Sequence, residues 1–354
     1  MKRKAGEPIG VKETLTDILI AEKGELLFYQ PIPESYRDVL TGETVKQATK
    51  YYPGIIYKEE DRKLYSLASG YLIGLLGLVY DKTKRSFIDE SAKLWTSDLA
   101  TSEFVCQYHQ PPVKHLPGVT LSCLTIGSDG GFYHFFHEVL PKFFFCQSVL
   151  PYTDHILING PPVDWKEKWL RHIGLDLDKV IWIAYNSHYV CDQLLFTNRL
   201  IKDQHISNWS LNALKTLLRI NETAAGQSSG DMIWISRKNV FARMIAWEDE
   251  VLRQFPAVKK VDVRDLSVTE TIVLFSNASH VISAHGAGLS NILMCRPGTK
   301  ILELFPDIKG YQPCYFRIST LCGLQHFVAE ADFYTEAGMQ DCLSFLEDFL
   351  QPAD

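Results

Sequence analysis

The chain has 354 residues, 46% hydrophobic and 22% charged, which is typical of a soluble globular protein with room for two cores. Its formal net charge of -6 argues against nucleic acid or an anionic membrane as the main partner, because both attract basic proteins. The cysteines are scattered without metal-ligand spacing, which favours neither a zinc site nor a disulfide framework. No apolar run is long enough for a membrane-spanning helix, and none follows the basic N-terminus as in a secretory signal.

Taken in chain order, residues 1–115 are predicted to form an irregular, β-rich region packed on the first domain, since Pro and Gly clusters separate its short apolar runs. From 116 to 220, strand-like apolar runs alternate with helical patterns. The polar segment Asn221–Asp231 is the predicted linker to a second alternation, 221–354. Two such alternations predict an α/β protein with two Rossmann-like, doubly wound domains facing a cleft. The last helix is free to cross back to the first domain.

Apolar periodicity and turn residues define the individual elements. The predicted strands are Thr120–Ile126, His155–Asn159, Val180–Tyr185, Leu194–Thr197, Met232–Ile235, Val258–Val263, His280–Ser283, Lys300–Phe305 and Gln325–Ala329. The predicted helices are Phe132–Leu150, Trp165–Ile173, Ser207–Ile220, Trp247–Phe255, Ser267–Asn277, Pro313–Cys322 and Met339–Leu350. Ser207 or Asn208 is expected to cap the helix that it begins.

The stretch Ala278–Phe305 organises the second half of the chain. It reads as a strand, a glycine-rich turn, a short helix and a second strand, which is a parallel βαβ unit. In such a unit a ligand lies beyond the carboxyl end of the first strand, at the N-terminus of the helix. Small residues at that point let the backbone approach a phosphate and donate amide hydrogen bonds to it. The residues of this turn are His285, Gly286, Ala287 and Gly288.

Other interpretations of this turn are a glycine turn that serves packing only, a dinucleotide fingerprint and the oxyanion loop of an esterase. The fingerprint lacks its third glycine, which is replaced by Asn291. The esterase needs a nucleophile elbow after a strand, whereas the G-x-S-x-G match at 226–230 precedes one. Glu303 ends the strand after the helix, where a carboxylate can accept hydrogen bonds from ribose or form a local salt bridge.

Two further motifs carry charged side chains. Arg237 and Arg243 follow the strand Met232–Ile235, and Arg suits phosphate oxygens and a departing diphosphate, although strand-end charges are more often solvated. His134 and Glu138 are four residues apart in an aromatic helix, so they share a face and can pair. Such a pair is either a general base or a buried structural pair, whereas His137 is expected to be structural.

The segment Asp176-Leu177-Asp178 matches the D-x-D pattern by which one class of sugar transferases binds a divalent ion. It precedes the strand Val180–Tyr185 instead of ending one, so we interpret it as a solvated loop with a capping role. This segment therefore gives no indication of a metal site.

In their order and spacing, the three motifs resemble those of glycosyltransferase family 61, the group of capsular-polysaccharide, plant-xylan and protein O-linked GlcNAc transferases. The family pattern H-W-x-x-D/E-x-L-P-R is matched at His134–Lys142, with Phe135 for Trp and Lys142 for Arg. The resemblance extends over about Leu121–Pro306.

The other two family patterns lie in the second alternation. I-S-R…R…N-E is matched by Ile235–Arg237, Arg243 and Glu248, except that Trp247 replaces Asn. H-G-A-G-L-x-N…P-x-x-x-x-I/V-E-L is matched nearly intact between His285 and Leu304.

This resemblance implies a GT-B fold and an inverting, metal-independent transfer from a nucleotide sugar, most simply a UDP-sugar, to a hydroxyl of a glycan or glycoconjugate. It implies that no metal and no cofactor are needed. It implies that Glu138 is the base and His134 its orienting partner, or the reverse. The donor-binding residues that it implies are Arg237, Arg243, His285, Gly286, Ala287, Gly288, Asn291 and Glu303. In this set the arginines clamp the diphosphate, the turn amides cradle it and Glu303 holds the ribose.

The expected setting is the cytoplasm, in surface-polysaccharide assembly, with peripheral membrane association left open. A noncatalytic module that binds a nucleotide sugar or glycan on the same fold is the alternative, and an NAD-dependent oxidoreductase is a third. Donor sugar, acceptor and oligomeric state do not follow from these residues.

Overall fold

A computed structural model describes residues 10–12, 18–29, 55–91, 112–201, 204–223, 230–238, 240, 242–307 and 312–351. The chain divides into two compact units. The first unit comprises Met1–Glu25, Lys58–Gln204 and Asn212–Leu217, and the second comprises Leu26–Tyr57, His205–Leu211 and Leu218–Asp354. Most of the predicted linker, 224–229, lies outside the described residues, and with it most of the G-x-S-x-G match.

Sixteen strands are described, here called β1–β16 in chain order. They are Gly10–Lys12, Ile18–Glu22, Leu26–Tyr29, Ile55–Lys58, Arg62–Ile73, Leu78–Asp81, Ser86–Ile88, Lys114–Ser122, His155–Asn159, Val180–Ile183, His188–Thr197, Asp231–Ile235, Val258–Val261, Ala278–Ala284, Lys300–Phe305 and Gln325–Glu330. The α-helices are Phe132–His134, Leu140–Phe145, Asp164–His172, Asn208–Leu217, Ile220–Thr223, Glu248–Gln254, Val268–Asn277, Cys314–Cys322 and Glu336–Phe349.

The first unit contains a nine-stranded mixed sheet in the order β1-β7-β6-β5-β11-β8-β9-β10, with β2 paired to β5. β11, β8, β9 and β10 run parallel, as expected for an α/β alternation. The long strand β5 pairs antiparallel with β11, so strands from before and after residue 115 share one sheet. Antiparallel neighbours can follow each other through tight turns, and β5, β6 and β7 do so.

The second unit contains a five-stranded sheet in the order β13-β12-β14-β15-β16, and all of its strands are parallel. Numbered within the unit, this order is 2-1-3-4-5, so the chain reverses direction across the sheet between β12 and β14. In an open parallel sheet the reversal leaves a crevice beyond the carboxyl ends of those two strands, because their following helices go to opposite faces.

The closing helix Glu336–Phe349 packs on one face of this second sheet. Its apolar positions join the core built around Trp234, Phe327 and Phe333. A small sheet of β3 and β4 contributes Leu27 and Tyr29 to another cluster, which includes side chains from β15, β16 and the helix Cys314–Cys322. Apolar side chains therefore cover much of the second sheet.

The predicted α/β class is confirmed, and most predicted elements lie within a few residues of their observed bounds. Ser207 caps its helix by accepting a hydrogen bond from the amide of Ser210 at 3.2 Å. Asp176 likewise accepts from the amide of Asp178 at 3.0 Å, which confirms the capping role predicted for that segment. The GT-B arrangement and the predicted domain boundaries stay predictions.

Two further observations concern the cysteines and the length of the helices. The cysteines that the structure describes are buried, and no disulfide joins any two of them. No helix in the described part of the chain is both long and apolar enough to span a membrane.

Candidate functional site

The crevice of the second sheet lies between the ends of two strands, β12 and β14. β12 ends at Ile235 and is followed by Ser236 and Arg237, whereas β14 ends at Ala284 and is followed by His285 and Gly286. Because these strands are direct neighbours, the two predicted motifs meet at the sheet's topological switch point.

Arg237 packs directly against Gly286. A Cβ atom added to Gly286 would lie 1.8 Å from Nη1 of Arg237, so the guanidinium would have to move to admit it. The φ angle of Gly286 is 170°, an extended conformation that any residue adopts, so glycine is required here for space alone. The turn glycine thus admits a guanidinium, which is a different reason from the close phosphate approach that the sequence suggests.

We expect Gly286→Ala to weaken nucleotide binding without unfolding the protein, because the new methyl group displaces the Arg237 guanidinium. Titration calorimetry with UDP measures the effect, with an expected loss of at least about tenfold for one charge-assisted contact. Gly130→Ala is the matched control, since a Cβ there meets no atom within 4 Å. Unchanged UDP affinity in Gly286→Ala would show that the guanidinium position is irrelevant to binding.

The guanidinium of Arg237 is buried and only partly satisfied. Its Nη2 donates to the carbonyl oxygen of Ala242 at 2.8 Å, while its buried Nε has no partner among the described residues. Burial, and then the nearby charge of Arg243, lower the pKa of Arg237, and Arg264 acts in the same direction. The guanidinium groups of Arg243 and Arg264 are therefore both within electrostatic range of that of Arg237, an arrangement that an anionic ligand would stabilise.

Arg243 and Arg264 differ in how they are held. Arg243 is half-buried, and its backbone adopts a φ of 59°, the left-handed region that non-glycine residues rarely occupy. Such strain persists where surrounding contacts fix the loop, and it is often found at ligand sites. Arg264 forms an ion pair with Asp262. It was not predicted as a site residue, because only the folded chain brings it close enough to Arg237 to affect the pKa of that residue.

Glu248 fixes the strand end that carries Arg237. Its buried carboxylate accepts hydrogen bonds from Trp234 Nε1 at 3.0 Å and from Ser236 Oγ at 2.7 Å, and Lys260 Nζ lies 2.6 Å away. Trp247, which replaces the family's Asn, donates from Nε1 to the carbonyl oxygen of Asp332 at 2.9 Å. The Glu248 carboxylate therefore holds the turn after β12 in place. Glu248 is a positioning residue, a role that its place in the sequence motif does not explain.

On the other side of the crevice, His285 begins a buried chain of hydrogen bonds. Its Nδ1 lies 2.5 Å from Oε1 of Glu303, and Nε2 of His326 lies 3.0 Å from Oε2. At the other side of the His326 ring, Nδ1 lies 2.7 Å from Oγ of Ser319 and extends the chain of hydrogen bonds. Burial raises the pKa of Glu303, but the two histidines outweigh it and lower that pKa overall. An ionised Glu303 accepts from both rings, so it fixes the orientation and tautomer of His285.

Glu303 is fully buried, and both of its carboxylate oxygens are engaged by histidine. The ribose contact implied by the family resemblance stays a prediction, and it requires one histidine to release an oxygen. His326 was not among the residues predicted from the sequence. His326 is the second residue of the strand Gln325–Glu330, and its partner is not evident from the sequence until parallel pairing places it beside β15.

The short helix Ala287–Met294 is a 3-10 helix that begins at the glycine turn. Its first internal hydrogen bond runs from the amide of Leu289 to the carbonyl oxygen of Gly286 at 2.9 Å. The preceding amides of Ala287 and Gly288 stand at the helix start, where N–H groups seek partners outside the helix. Asn291 is buried and donates to the carbonyl oxygen of Gly288 at 2.9 Å, so it closes the turn.

The first unit carries the His134–Glu138 pair on an irregular helix. The α-helical residues Phe132–His134 and Leu140–Phe145 flank a π-helical turn, Phe135–Val139. Pro141 explains the irregularity, because it has no N–H to donate to the preceding turn. π-turns of this kind are frequent at functional sites.

Within that turn, Nδ1 of His134 lies 2.9 Å from Oε1 of Glu138. Glu138 is 2% exposed, and its second oxygen, Oε2, is buried with no partner in the described part of the chain. A carboxylate oxygen without a donor is costly to bury, and it is the atom that could accept a proton from a ligand hydroxyl. The predicted pairing is confirmed, while the catalytic role stays a prediction.

His137, in the same turn, is completely buried between Tyr133 and Phe136. Neither of its ring nitrogens has a partner among the described residues. Burial, followed by the charge of His134, lowers the pKa of His137 to about 3. The ring is therefore neutral at physiological pH, as expected for a structural residue.

Because His137 is buried in its neutral form, we expect the stability of the folded protein to decrease in acid. As the pH falls from 6.5 towards about 3, the unfolded chain binds a proton that folded His137 excludes, so stability decreases. The slope is about 1.4 kcal/mol per pH unit. We expect urea unfolding of His137→Phe to show a weaker loss of stability between pH 8 and pH 5 than the wild type. His280, with a pKa lowered to about 4, acts in the same direction and keeps some slope. An unchanged slope in the variant would contradict the assignment.

Residues 132–302 match the family model Glycosyltransferase 61. These residues form a glycosyltransferase family 61 domain. The match includes both units' motifs, from His134 and Glu138 to Arg237, Arg243 and the turn at His285, and it ends one residue before Glu303. No curated protein is similar enough to the chain to be matched with it.

A family 61 domain indicates a glycosyltransferase, an enzyme class whose substrates are a sugar donor and an acceptor. Of the residues predicted from the sequence, the structure gathers the eight donor-side residues around β12, β14 and β15 in the second unit, and it pairs the other two in the first. Among the described residues, no group of three or more His, Cys, Asp or Glu side chains is placed to hold a metal ion.

Proposed function

We propose that this family 61 glycosyltransferase moves a sugar from a nucleotide sugar, most simply a UDP-sugar, to a hydroxyl of a glycan or glycoconjugate. The observation that carries the donor assignment is the buried, incompletely paired guanidinium of Arg237 against Gly286 at the switch point of the second sheet. A diphosphate matches this site in charge and in hydrogen-bond demand, because its oxygens accept from arginine forks and backbone amides.

The leaving group of the proposed reaction is the nucleoside diphosphate, which carries extra negative charge as the glycosidic bond breaks. Arg237 and Arg243, with the amides of Ala287 and Gly288, supply fixed positive charge and donors where that charge develops. His285 adds a ring held by Glu303, and its protonated form would donate to a phosphate oxygen. In this assignment Glu303 acts through His285.

The proposed base is Glu138, with His134 as its orienting partner. The acceptor oxygen attacks the anomeric carbon, its proton passes to Oε2 of Glu138, and the diphosphate departs from the opposite face with the bonding electrons. This single displacement inverts the anomeric configuration. The orphan oxygen supports the role, since Oε1 is held by His134 and Oε2 has no donor among the described residues.

Metal independence is part of the proposal, since the arginines supply the charge that a divalent ion supplies elsewhere. We expect transfer activity to survive EDTA within about twofold of the untreated rate, because the donors at the diphosphate belong to the protein. Activity that EDTA abolishes and that Mg²⁺ or Mn²⁺ restores would contradict this part of the proposal and leave the donor assignment intact.

The function is tested by a thermal-shift screen of nucleotides and nucleotide sugars, followed by an acceptor screen with the donor that binds best. A rise in melting temperature with UDP or a UDP-sugar, and none with NAD, is expected. Release of free sugar or transfer product by the purified protein separates an enzyme from a noncatalytic binding module. A role in surface-polysaccharide assembly in the cytoplasm stays a prediction.

A further inference from the structure

A buried lysine of the first unit, Lys166, has no role in the chemistry proposed above. It lies on the helix Asp164–His172, which follows β9, and its side chain is completely buried. Burial lowers the pKa of Lys166 to about 8, although the charge of Asp129 acts in the opposite direction. Burying an ammonium is costly, so the contacts that it forms indicate what the fold gains from it.

The ammonium of Lys166 joins two backbone segments at the carboxyl edge of the first sheet. It donates to the carbonyl oxygen of Asn159, the last residue of β9, at 2.8 Å, and to that of Asp129 at 2.9 Å. Asp129 lies in the turn that follows β8. The rings of Trp165 and Trp182 lie 5.4 and 6.0 Å from Nζ, a distance at which an aromatic ring stabilises a cation. Lys166 therefore ties the end of β9 to this turn.

Asn159 fixes the same turn through its side chain. Its Oδ1 accepts from the amide of Thr125 at 2.9 Å and from the hydroxyl of Ser128 at 2.6 Å. Its Nδ2 donates to the carbonyl oxygen of Leu75 at 2.6 Å. Both polar atoms of this buried side chain are engaged, so the turn is held by Asn159 as well as by Lys166.

The turn, residues 127–131, leads directly into the helix that carries His134. The amide of Gly131 donates to the carbonyl oxygen of Gly127 at 2.9 Å, and the carbonyl oxygen of Gly131 accepts from the amide of Phe135 at 3.1 Å. A Cβ atom on Gly131 would lie 2.6 Å from the carbonyl oxygen of Gly127 and 3.2 Å from Cδ2 of His134. The turn and the His134 ring are thus in close contact, so a displaced turn would displace the ring.

We propose that Lys166 is a positioning residue for the proposed catalytic pair. Through the turn 127–131 it fixes the His134 ring, and the ring orients the carboxylate of Glu138, whose Oε1 lies 2.9 Å from Nδ1 of His134. The inference rests on the proposed function, because it requires this pair to act on the acceptor. A displacement of about 1 Å can reduce the rate of a reaction by roughly 100-fold, so a rigid turn matters for turnover.

Lys166→Met tests the inference on the full-length protein, because methionine nearly keeps the length of the side chain and removes its N–H donors. We expect kcat to fall at least about tenfold while UDP affinity stays within about twofold of the wild type. Lys179→Met is the matched control, since Lys179 also donates to a backbone carbonyl of the first unit, that of Thr153 at 2.8 Å. Wild-type kcat in a folded Lys166→Met overturns the inference.

A double-mutant cycle separates positioning from a general effect on stability. In the Glu138→Gln background the proposed base is absent, so Lys166→Met is expected to lower the residual single-turnover rate by less than about twofold. A residue that only stabilises the fold would lower the rate by the same factor in both backgrounds. Equal losses in the two backgrounds therefore overturn the positioning role.

Hydrogen exchange provides a readout that needs no turnover. In Lys166→Met the amides of residues 127–138 are expected to exchange at least about tenfold faster, whereas those of the strand His188–Thr197 keep their wild-type rates. Unchanged exchange in residues 127–138 overturns the inference, whether or not the protein transfers a sugar. Full activity of Glu138→Gln, or failure of the wild type to bind any nucleotide, overturns the proposed function instead.

Ser128→Ala replaces Lys166→Met in these measurements if the lysine variant fails to fold. It removes only the hydroxyl that donates to Asn159, and so it loosens the turn without leaving a buried cation unpaired. The expected loss of kcat is about threefold, in keeping with one hydrogen bond. Wild-type kcat and wild-type exchange in Ser128→Ala would overturn the inference in that case.

Discussion

Arg237→Ala is expected to lower kcat/KM by about 100- to 1000-fold and to weaken UDP binding at least tenfold, because it removes a preorganised charge from the developing diphosphate. The guanidinium is held by the carbonyl oxygen of Ala242 and by the space that Gly286 leaves, so its position is fixed before a ligand arrives. Steady-state kinetics and titration calorimetry measure the two effects separately.

Arg237→Lys keeps the charge but loses the planar fork, and we expect it to retain only a minor part of the lost affinity. The matched control is Lys238→Ala, next in sequence, whose ammonium is solvent-exposed and paired with Asp249. An exposed pair of this kind contributes little, so this variant should behave as the wild type. Wild-type UDP affinity in a folded Arg237→Ala would remove the arginine from the donor site.

Glu138→Gln is expected to lower kcat by about 100- to 10,000-fold and to leave UDP affinity within twofold of the wild type. The amide keeps the size of the side chain and cannot accept the acceptor's proton as a carboxylate does. Because Glu138 lies in the first unit and the donor residues in the second, nucleotide binding and turnover should respond independently. Single-turnover transfer and calorimetry provide the comparison.

His134→Asn distinguishes the two proposed partners. If Glu138 is the base, the loss of its orienting ring should cost less turnover than Glu138→Gln does. A larger loss in His134→Asn would reverse the roles, and full activity in Glu138→Gln would remove the carboxylate from catalysis. Glu167→Gln serves as the control, since its carboxylate forms an ordinary i, i+4 pair with Arg171 on a surface helix.

Local pattern was sufficient to predict most of the elements. The strand Lys300–Phe305 has its predicted bounds, and the strand Ala278–Ala284 extends the predicted His280–Ser283 by a few residues. Apolar runs bounded by glycine and proline determine such elements locally, so they are visible in the sequence. The pairing of His134 with Glu138 also follows from helical spacing.

The mixed first sheet did not follow from local pattern. The predicted alternation implied a doubly wound parallel sheet, but β5 runs antiparallel beside β11 and extends the sheet with strands from the N-terminal region. Strand partners are chosen by long-range packing, which a short apolar run does not encode. The π-helical turn Phe135–Val139 did not follow from local pattern either. Pro141 indicates that the helix is irregular, but it does not determine which kind of irregular turn forms.

The sequence by itself determined which residues belong to the proposed donor motifs, since residue type and spacing to the nearest strand end are local properties. Only the tertiary structure decided what those residues do to one another. The order 2-1-3-4-5 brings β12 beside β14, and so Gly286 makes room for Arg237. Parallel pairing of β15 with β16 sets His326 against Glu303. Both contacts join segments far apart in the chain, and their geometry exists only once the sheet is assembled.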